Sequence, residues 1–196
     1  MRITEEKKQQ NREAIIAAAS ELFRQGGFDG IGVAQLMERA GLTHGGFYNH
    51  FPSKENLIVE ATAHGFDTIV NRYVGFNAST ILNVYLSREH RDNRGAGCLI
   101  AALSGDAARQ TDETRAPFAE GIEKFIRLLE KDIAFKQNDG PGARAKAISA
   151  LAQALGALVM SRACPDEAPL ADEILEVARD ACRLAIDQVG PERSTQ

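Results

Sequence analysis

Two helix stops and two helix starts fall within one short span, Gly41-Leu42-Thr43-His44-Gly45-Gly46-Phe47-Tyr48-Asn49-His50-Phe51-Pro52-Ser53-Lys54-Glu55-Asn56-Leu57. Just before it, Val33, Leu36 and Met37 stand at i, i+3 and i+4, the spacing of a helix with one buried face. Gly41 is placed to end that helix, because glycine enters the left-handed conformation needed there without a steric penalty. Thr43 is expected to cap the next helix through its hydroxyl. That helix must be short, since Pro52 lacks an N–H and pushes Phe51 out of helical angles. Ser53 then caps a third helix, with Asn56 where a capping box would carry Glu or Gln. This punctuation reads as the DNA-reading end of a helix-turn-helix; the alternative is a capped helical hairpin with no ligand.

Upstream, Asn11 to Gln25 carries Ile15, Ala18, Ala19, Leu22 and Phe23 in a one-sided stripe, so an amphipathic helix is expected, stopped by Gly26-Gly27 and followed by a loop from Phe28 to Gly32. These three helices make a head over residues 8–58. The remaining 59–190 read as a second helical bundle. The fold expected is therefore all-α.

Charge divides along the same line. The chain carries 23 Lys and Arg against 27 Asp and Glu. Residues 1–54 hold seven of the former and six of the latter, a net of +1, and the rest sums to −5. A head this mildly basic gains DNA affinity from a few placed contacts and from repetition of the site in a dimer, not from a broad electrostatic field. No apolar run reaches the roughly 18 to 20 residues of a membrane span, and the start of the chain is polar, so a cytoplasmic protein with no membrane partner is expected. Three widely spaced cysteines, Cys98, Cys164 and Cys182, form no C-x-x-C pair, which argues against a zinc site or a disulfide framework; no metal and no cofactor are expected.

From Lys54 a longer helix is expected, with Phe66, Ile69, Tyr73 and Phe76 on one side. Ser79 is placed to cap a helix holding Ile81, Leu82, Tyr85 and Leu86, which the polar run Arg88 to Gly95 interrupts. Cys98 to Arg109 reads as a buried, alanine-rich helix, and Thr114 to Phe135 as a long amphipathic one. Asn138-Asp139-Gly140-Pro141-Gly142 is the strongest break.

Ala143 to Arg162 is apolar on two sides. The large residues Ile148, Leu151, Leu155, Leu158 and Val159 suit the core; the small ones, Ala147, Ala150, Ala154 and Ala157, suit a closely packed helix of a second subunit. With Ile174, Val177, Ala181 and Leu184 of the last helix they define an expected isologous four-helix interface. The alternative is that these faces pack within one chain.

Together these residues resemble the head of the tetracycline-repressor-type (TetR) transcriptional regulators. The resemblance runs from about Asn11 to Ala61, through Ala18-Ala19-x-x-Leu22-Phe23-x-x-x-Gly27-Phe28, Ala40-Gly41-Leu42-Thr43 and Phe47-Tyr48-x-His50-Phe51-x-Ser53-Lys54-Glu55-x-Leu57. The segment Tyr85 to Asp106, with Gly97-Cys98-Leu99-Ile100-Ala101-Ala102-Leu103, is similar to one common subgroup and fixes no ligand. The resemblance implies a ligand-binding and dimerising body, and a homodimeric repressor that leaves its DNA operator when a small molecule binds. It further implies that Thr43 and Tyr48 contact phosphates, that His44, Gly45 and Gly46 meet base edges, and that Lys54 binds backbone phosphate. Two positions depart from the family's pattern. Ile31-Gly32 stands where a phosphate-binding Thr or Ser is usual, and Met37 where Ala is common.

Several residues carry two readings. Asn49 or His50 can donate to a phosphate, or His50 supports Phe51 in the core. Lys7 and Lys8 suit a minor-groove arm or, beside Glu5 and Glu6, a solvated tail. Phe66, Tyr73, Phe118 and Phe125 are core packing or the lining of an effector cavity, and Cys98 is a buried apolar residue or a thiol sensor in that lining. The sequence holds no H-E-x-x-H, G-x-S-x-G or P-loop, so no enzyme is expected. The competing function is a small-molecule-binding protein or an enzyme that keeps the body and has lost DNA binding.

Overall fold

The computed structural model describes residues 4–137 and 140–187, and every regular element among them is a helix. In chain order these are α1 (Glu5–Gly30), α2 (Val33–Arg39), a short 3-10 helix (His44–Asn49), α3 (Lys54–Arg72), α4 (Ala78–Tyr85), α5 (Arg88–Asp92), a 3-10 turn (Arg94–Ala96), α6 (Leu99–Ala107), α7 (Asp112–Gln137), α8 (Gly140–Ala163) and α9 (Pro169–Asp187). They fall into two compact units. The first is drawn from Met1–Ile69 and Arg94–Gly121, the second from Val70–Asn93 and Ile122–Gln196.

In the first unit α1 begins earlier than its apolar stripe, because Thr4 caps it by accepting the Lys7 N–H. Its break is confined to Gly27, whose φ of 74° is left-handed; helical turns resume through Phe28 to Gly30, where a loop was expected. The freed Phe28 N–H is taken by the Asp106 carboxylate of α6 at 3.1 Å, and Arg24 donates to the Gly95 carbonyl at 2.6 Å. The α6 segment is thus part of the same compact unit as the head. Ile15, Ala19, Phe23 and Phe28 from α1 form its core with Leu36, Met37, Phe47, Phe51 and Leu57.

In the second unit the structure revises several expectations. Helix α3 ends at Arg72, so Tyr73 and Phe76 lie beyond it in a turn through Gly75. Asn77, not Ser79, caps α4, its side chain accepting the Thr80 N–H. The polar run after Leu86 does not simply interrupt: Ser87 caps α5, and Arg91 points inward, 2 % exposed, to pair with Asp166 at 2.5 Å. Arg162 donates to the carbonyls of His90 and Arg91, Arg179 to that of Leu86, and Arg88 pairs with Asp172. Arg162 and Arg179 thereby satisfy carbonyls at the ends of α5 and α4 that have no partner within their own helices.

Asn138 and Asp139 of the expected break lie outside the described residues. Gly140, Pro141 and Gly142 do not break the chain but open α8, whose first turn has no use for the N–H that Pro141 lacks. The four alanines expected at a subunit interface are a second correction. Ala147, Ala150, Ala154 and Ala157 are at most 3 % exposed within the single chain, because α9 packs closely along that stripe. Their small side chains let two helices of one chain approach, so none is available to a second subunit.

Candidate DNA interface

The short helix His44–Asn49 is held from beneath by aromatic packing. Phe47 and Phe51 are fully buried and stack with ring centroids 5.8 Å apart, and the Phe51 N–H returns to the Phe47 carbonyl. Gly41, at φ 71°, ends α2, with its own N–H on the Glu38 carbonyl and the Leu42 N–H on that of Met37. The second bond is the six-to-one closure of a Schellman stop. At the start of α2 half of a capping box is present: Gln35 accepts the Gly32 N–H at 3.0 Å, while Gly32 has no hydroxyl to return.

Thr43 stands at the N-cap position, but its hydroxyl makes no capping bond; the expected cap is replaced by the backbone closure of Gly46 N–H on the Thr43 carbonyl, as the tighter 3-10 geometry requires. Thr43, His44, Gly45, Tyr48 and Asn49 are exposed, and Gly46, His50 and Lys54 half-buried. Tyr48 is 71 % exposed, with its ring set edge-on to Phe47. The eight expected DNA-binding residues therefore share one short stretch and its immediate continuation into α3.

Neither Gly45 nor Gly46 is required by the fold. A Cβ at Gly45 would meet nothing within 4 Å, and at Gly46 it would make ordinary contacts to Met37 and Thr43. Neither residue has a left-handed φ. Two glycines that weaken a helix without serving its packing point to close approach by something outside the chain.

Lys54 is equally unhelpful to stability, since it places a cation at the positive end of α3. Ser53 caps that helix as expected, accepting the Asn56 N–H and donating to the Asn56 side-chain oxygen. The neighbouring Ser53 hydroxyl is the largest influence holding the Glu55 carboxyl below the usual range, helped by the Glu55 backbone and by Lys54. Burial, then the charges of Lys8 and Arg12, pull the His50 ring below its ordinary pKa.

Arg12 has no counterpart in the sequence reading. Its guanidinium pairs with Glu60 at 2.5 Å and lies 4.6 Å over the Phe51 ring, bracing α1 against the end of the reader. The sequence separation of 48 from Arg12 to Glu60 leaves no periodic signal of this contact.

Residues 15–61 match the model of the bacterial regulatory proteins, tetR family. That stretch of the chain is therefore similar to the DNA-binding head of the tetR-family regulators. Over 130 residues it is 27 % identical to the HTH-type transcriptional repressor NemR of Escherichia coli, a match that takes in 61 % of this chain and 65 % of that repressor, just under two thirds of its length. A TetR transcriptional regulator from Chloroflexus aurantiacus shares the fold with a TM-score of 0.76 at 22 % identity, over 93 % of this chain and 97 % of that one. Bacillus subtilis FadR in complex with stearoyl-CoA does so with a TM-score of 0.61 at 16 % identity, over 89 % and 97 %.

Among the residues expected to line an effector site, all five are buried. Phe66, Cys98 and Phe118 belong to the first unit, where Phe66 and Phe28 set their edges against Phe118. Tyr73 and Phe125 belong to the second, packed edge to face at 6.0 Å. Of the expected interface residues, Val177 and Leu184 are 64 % and 60 % exposed, and Ile174 and Ala181 are half-buried. Leu170 continues this stripe along α9, and Ile148, Val159 and Met160 of α8 are also exposed. An open apolar groove of about 310 Å³ runs between Met160 and Val177. Of the large α8 residues expected in the core, Leu151 and Leu158 are buried and Leu155 half-buried, whereas Ile148 and Val159 face outward. No described helix is long and apolar enough to cross a membrane.

Proposed function

We propose that the protein is a homodimeric, ligand-responsive transcriptional repressor that acts in the cytoplasm. Its two heads enter successive major grooves of a near-palindromic operator, with half-sites about 34 to 36 Å apart or a multiple of that spacing. The observation that carries this reading is the exposed Thr43–Tyr48 stretch, whose two glycines the fold itself does not need.

Thr43 and Tyr48 hold phosphates on either side of the reader, His44 with the Gly45-Gly46 backbone meets base edges, and Lys54 with Asn49 binds the backbone. Functionally, residues 8–58 are the DNA-binding domain and 59–190 the effector-binding and dimerising one. The exposed apolar stripe of α9, with Ile148, Val159 and Met160 of α8, supports pairing of the two subunits through these helices. An effector in the body that weakens operator binding through a coupling of about 1 to 3 kcal/mol completes the switch. Phe66, Cys98 and Phe118 of the first unit, or Tyr73 and Phe125 of the second, are its proposed contacts; the similarly folded Bacillus subtilis FadR is in complex with stearoyl-CoA.

Selection of duplexes from a random pool by the full chain, followed by titration at two salt concentrations, tests the reading. The expected result is one near-palindromic sequence bound as a dimer, with Lys54→Ala weakening all duplexes and lowering the salt slope by about one. Failure to enrich any sequence would favour a binding protein or enzyme that has lost DNA function.

A further inference from the structure

The head carries a polar concavity between the start of α1 and the end of the reader. Glu5, Lys8, Gln9 and Arg12 of α1 face Asn49 and His50 across an open cavity of about 260 Å³, room for several waters at roughly 30 Å³ each. Its wall is mostly polar.

We infer that this cavity seats one backbone phosphate of bound DNA, with Lys8 as its cation and Asn49 and Gln9 as its neutral donors. The inference rests on the reading of the head as a DNA-binding unit and adds a contact from α1, outside the helix-turn-helix. Arg12 is committed to Glu60 and to the Phe51 face, so it contributes fixed positive charge while Lys8 supplies the flexible ammonium. Gln9 donates one amide N–H to Glu13 and retains a second. Glu5, on the same wall, opposes an anion. The charges that act on the neighbouring His50 ring are nevertheless both positive, Lys8 and Arg12. A cation on α1 and an amide at the end of the reader would grip the same phosphate from two elements, fixing the angle at which the reader enters the groove.

Lys7 provides the control, since it neighbours Lys8 in sequence and does not line the cavity. In the full-length protein, Lys7→Gln and Lys8→Gln remove the same charge from adjacent positions of one helix. Both are compared with wild type on a duplex enriched by the wild-type protein, between 50 and 200 mM salt. Lys8→Gln is expected to weaken binding roughly five- to tenfold at 100 mM salt and to lower the salt slope by about one, with Lys7→Gln changing affinity less than twofold. Replacing single phosphates of the duplex by neutral methylphosphonates should reveal one position whose loss weakens the wild type and leaves Lys8→Gln unaffected. Equal behaviour of the two variants, or the absence of such a position, overturns the phosphate seat alone. A wild-type protein that enriches no duplex overturns the underlying reading and the seat with it.

Discussion

Between Gly41 and Lys54 the large apolar side chains, Phe47 and Phe51, turn inward and leave glycines, hydroxyls, an amide and imidazoles on the surface. Along α8 and α9 the arrangement is reversed: alanines are consumed within the chain while Ile148, Val159, Met160, Leu170, Val177 and Leu184 face outward. The first surface suits a charged, hydrated partner approached closely by the backbone. The second suits an apolar partner, and a second copy of the same two helices meets that need by symmetry. On the proposed function, the first surface serves recognition and the second assembly, so each should be removable without the other.

The largest effect expected from breaking this comparison is at the base of the reader. Phe47→Ala should cost about 3 to 5 kcal/mol, because a buried ring is lost and its cavity is only partly refilled. Denaturant melts would measure this, and a cost below about 1 kcal/mol would mean that the reader is not held from beneath. Next, Val177→Glu combined with Leu184→Glu should convert the dimer to a monomer that keeps its thermal transition within a few degrees. Light scattering reads the mass, and loss of the tethered second head should lower apparent operator affinity on the order of 100-fold. An unchanged dimer would place assembly elsewhere.

Smaller effects sharpen the head's side of the contrast. Gly41→Ala should destabilise by about 1 to 2 kcal/mol through backbone strain alone, since a Cβ there meets nothing within 4 Å. A melt equal to wild type would contradict the left-handed stop. In the second unit, burial lowers the His90 pKa against the raising effect of its hydrogen bond to the Tyr85 carbonyl, with Arg162 and Arg72 lowering it further. The unfolded ring takes up a proton near pH 6.5 and the folded ring only at lower pH. Stability should therefore be level in this respect above about pH 6.5 and fall as acid carries the solution down through the folded value, with His50 adding in the same direction. His90→Gln should flatten part of that slope in melts between pH 7 and 5; an unaltered slope would remove His90 as its source.

The head was legible in the sequence because its instructions are local. Gly41 stops one helix and Ser53 caps another within a few residues, and Phe47 with Phe51 is spaced to fall on one side. What escaped was set at a distance or by polar groups without periodicity. Helix α1 starts at Glu5 because Thr4 caps a run with no apolar face, and Arg91 is drawn inward by Asp166, 75 residues on. The alanine stripe of α8 was recognised as a close-packing face, but a repeat of small residues does not say which helix covers it. Likewise the stripe through Tyr73 and Phe76 outlasted the helix itself, since aromatic spacing continued past the turn at Gly75.

Gly45→Ala tests the central claim most directly, because the chain has room for the added methyl and any cost must come from a partner. Measured together, the melting transition should stay at or slightly above the wild-type value, and affinity for the enriched duplex should fall about tenfold. Retention of full affinity with an intact fold would contradict the assignment of this stretch as the surface that meets DNA.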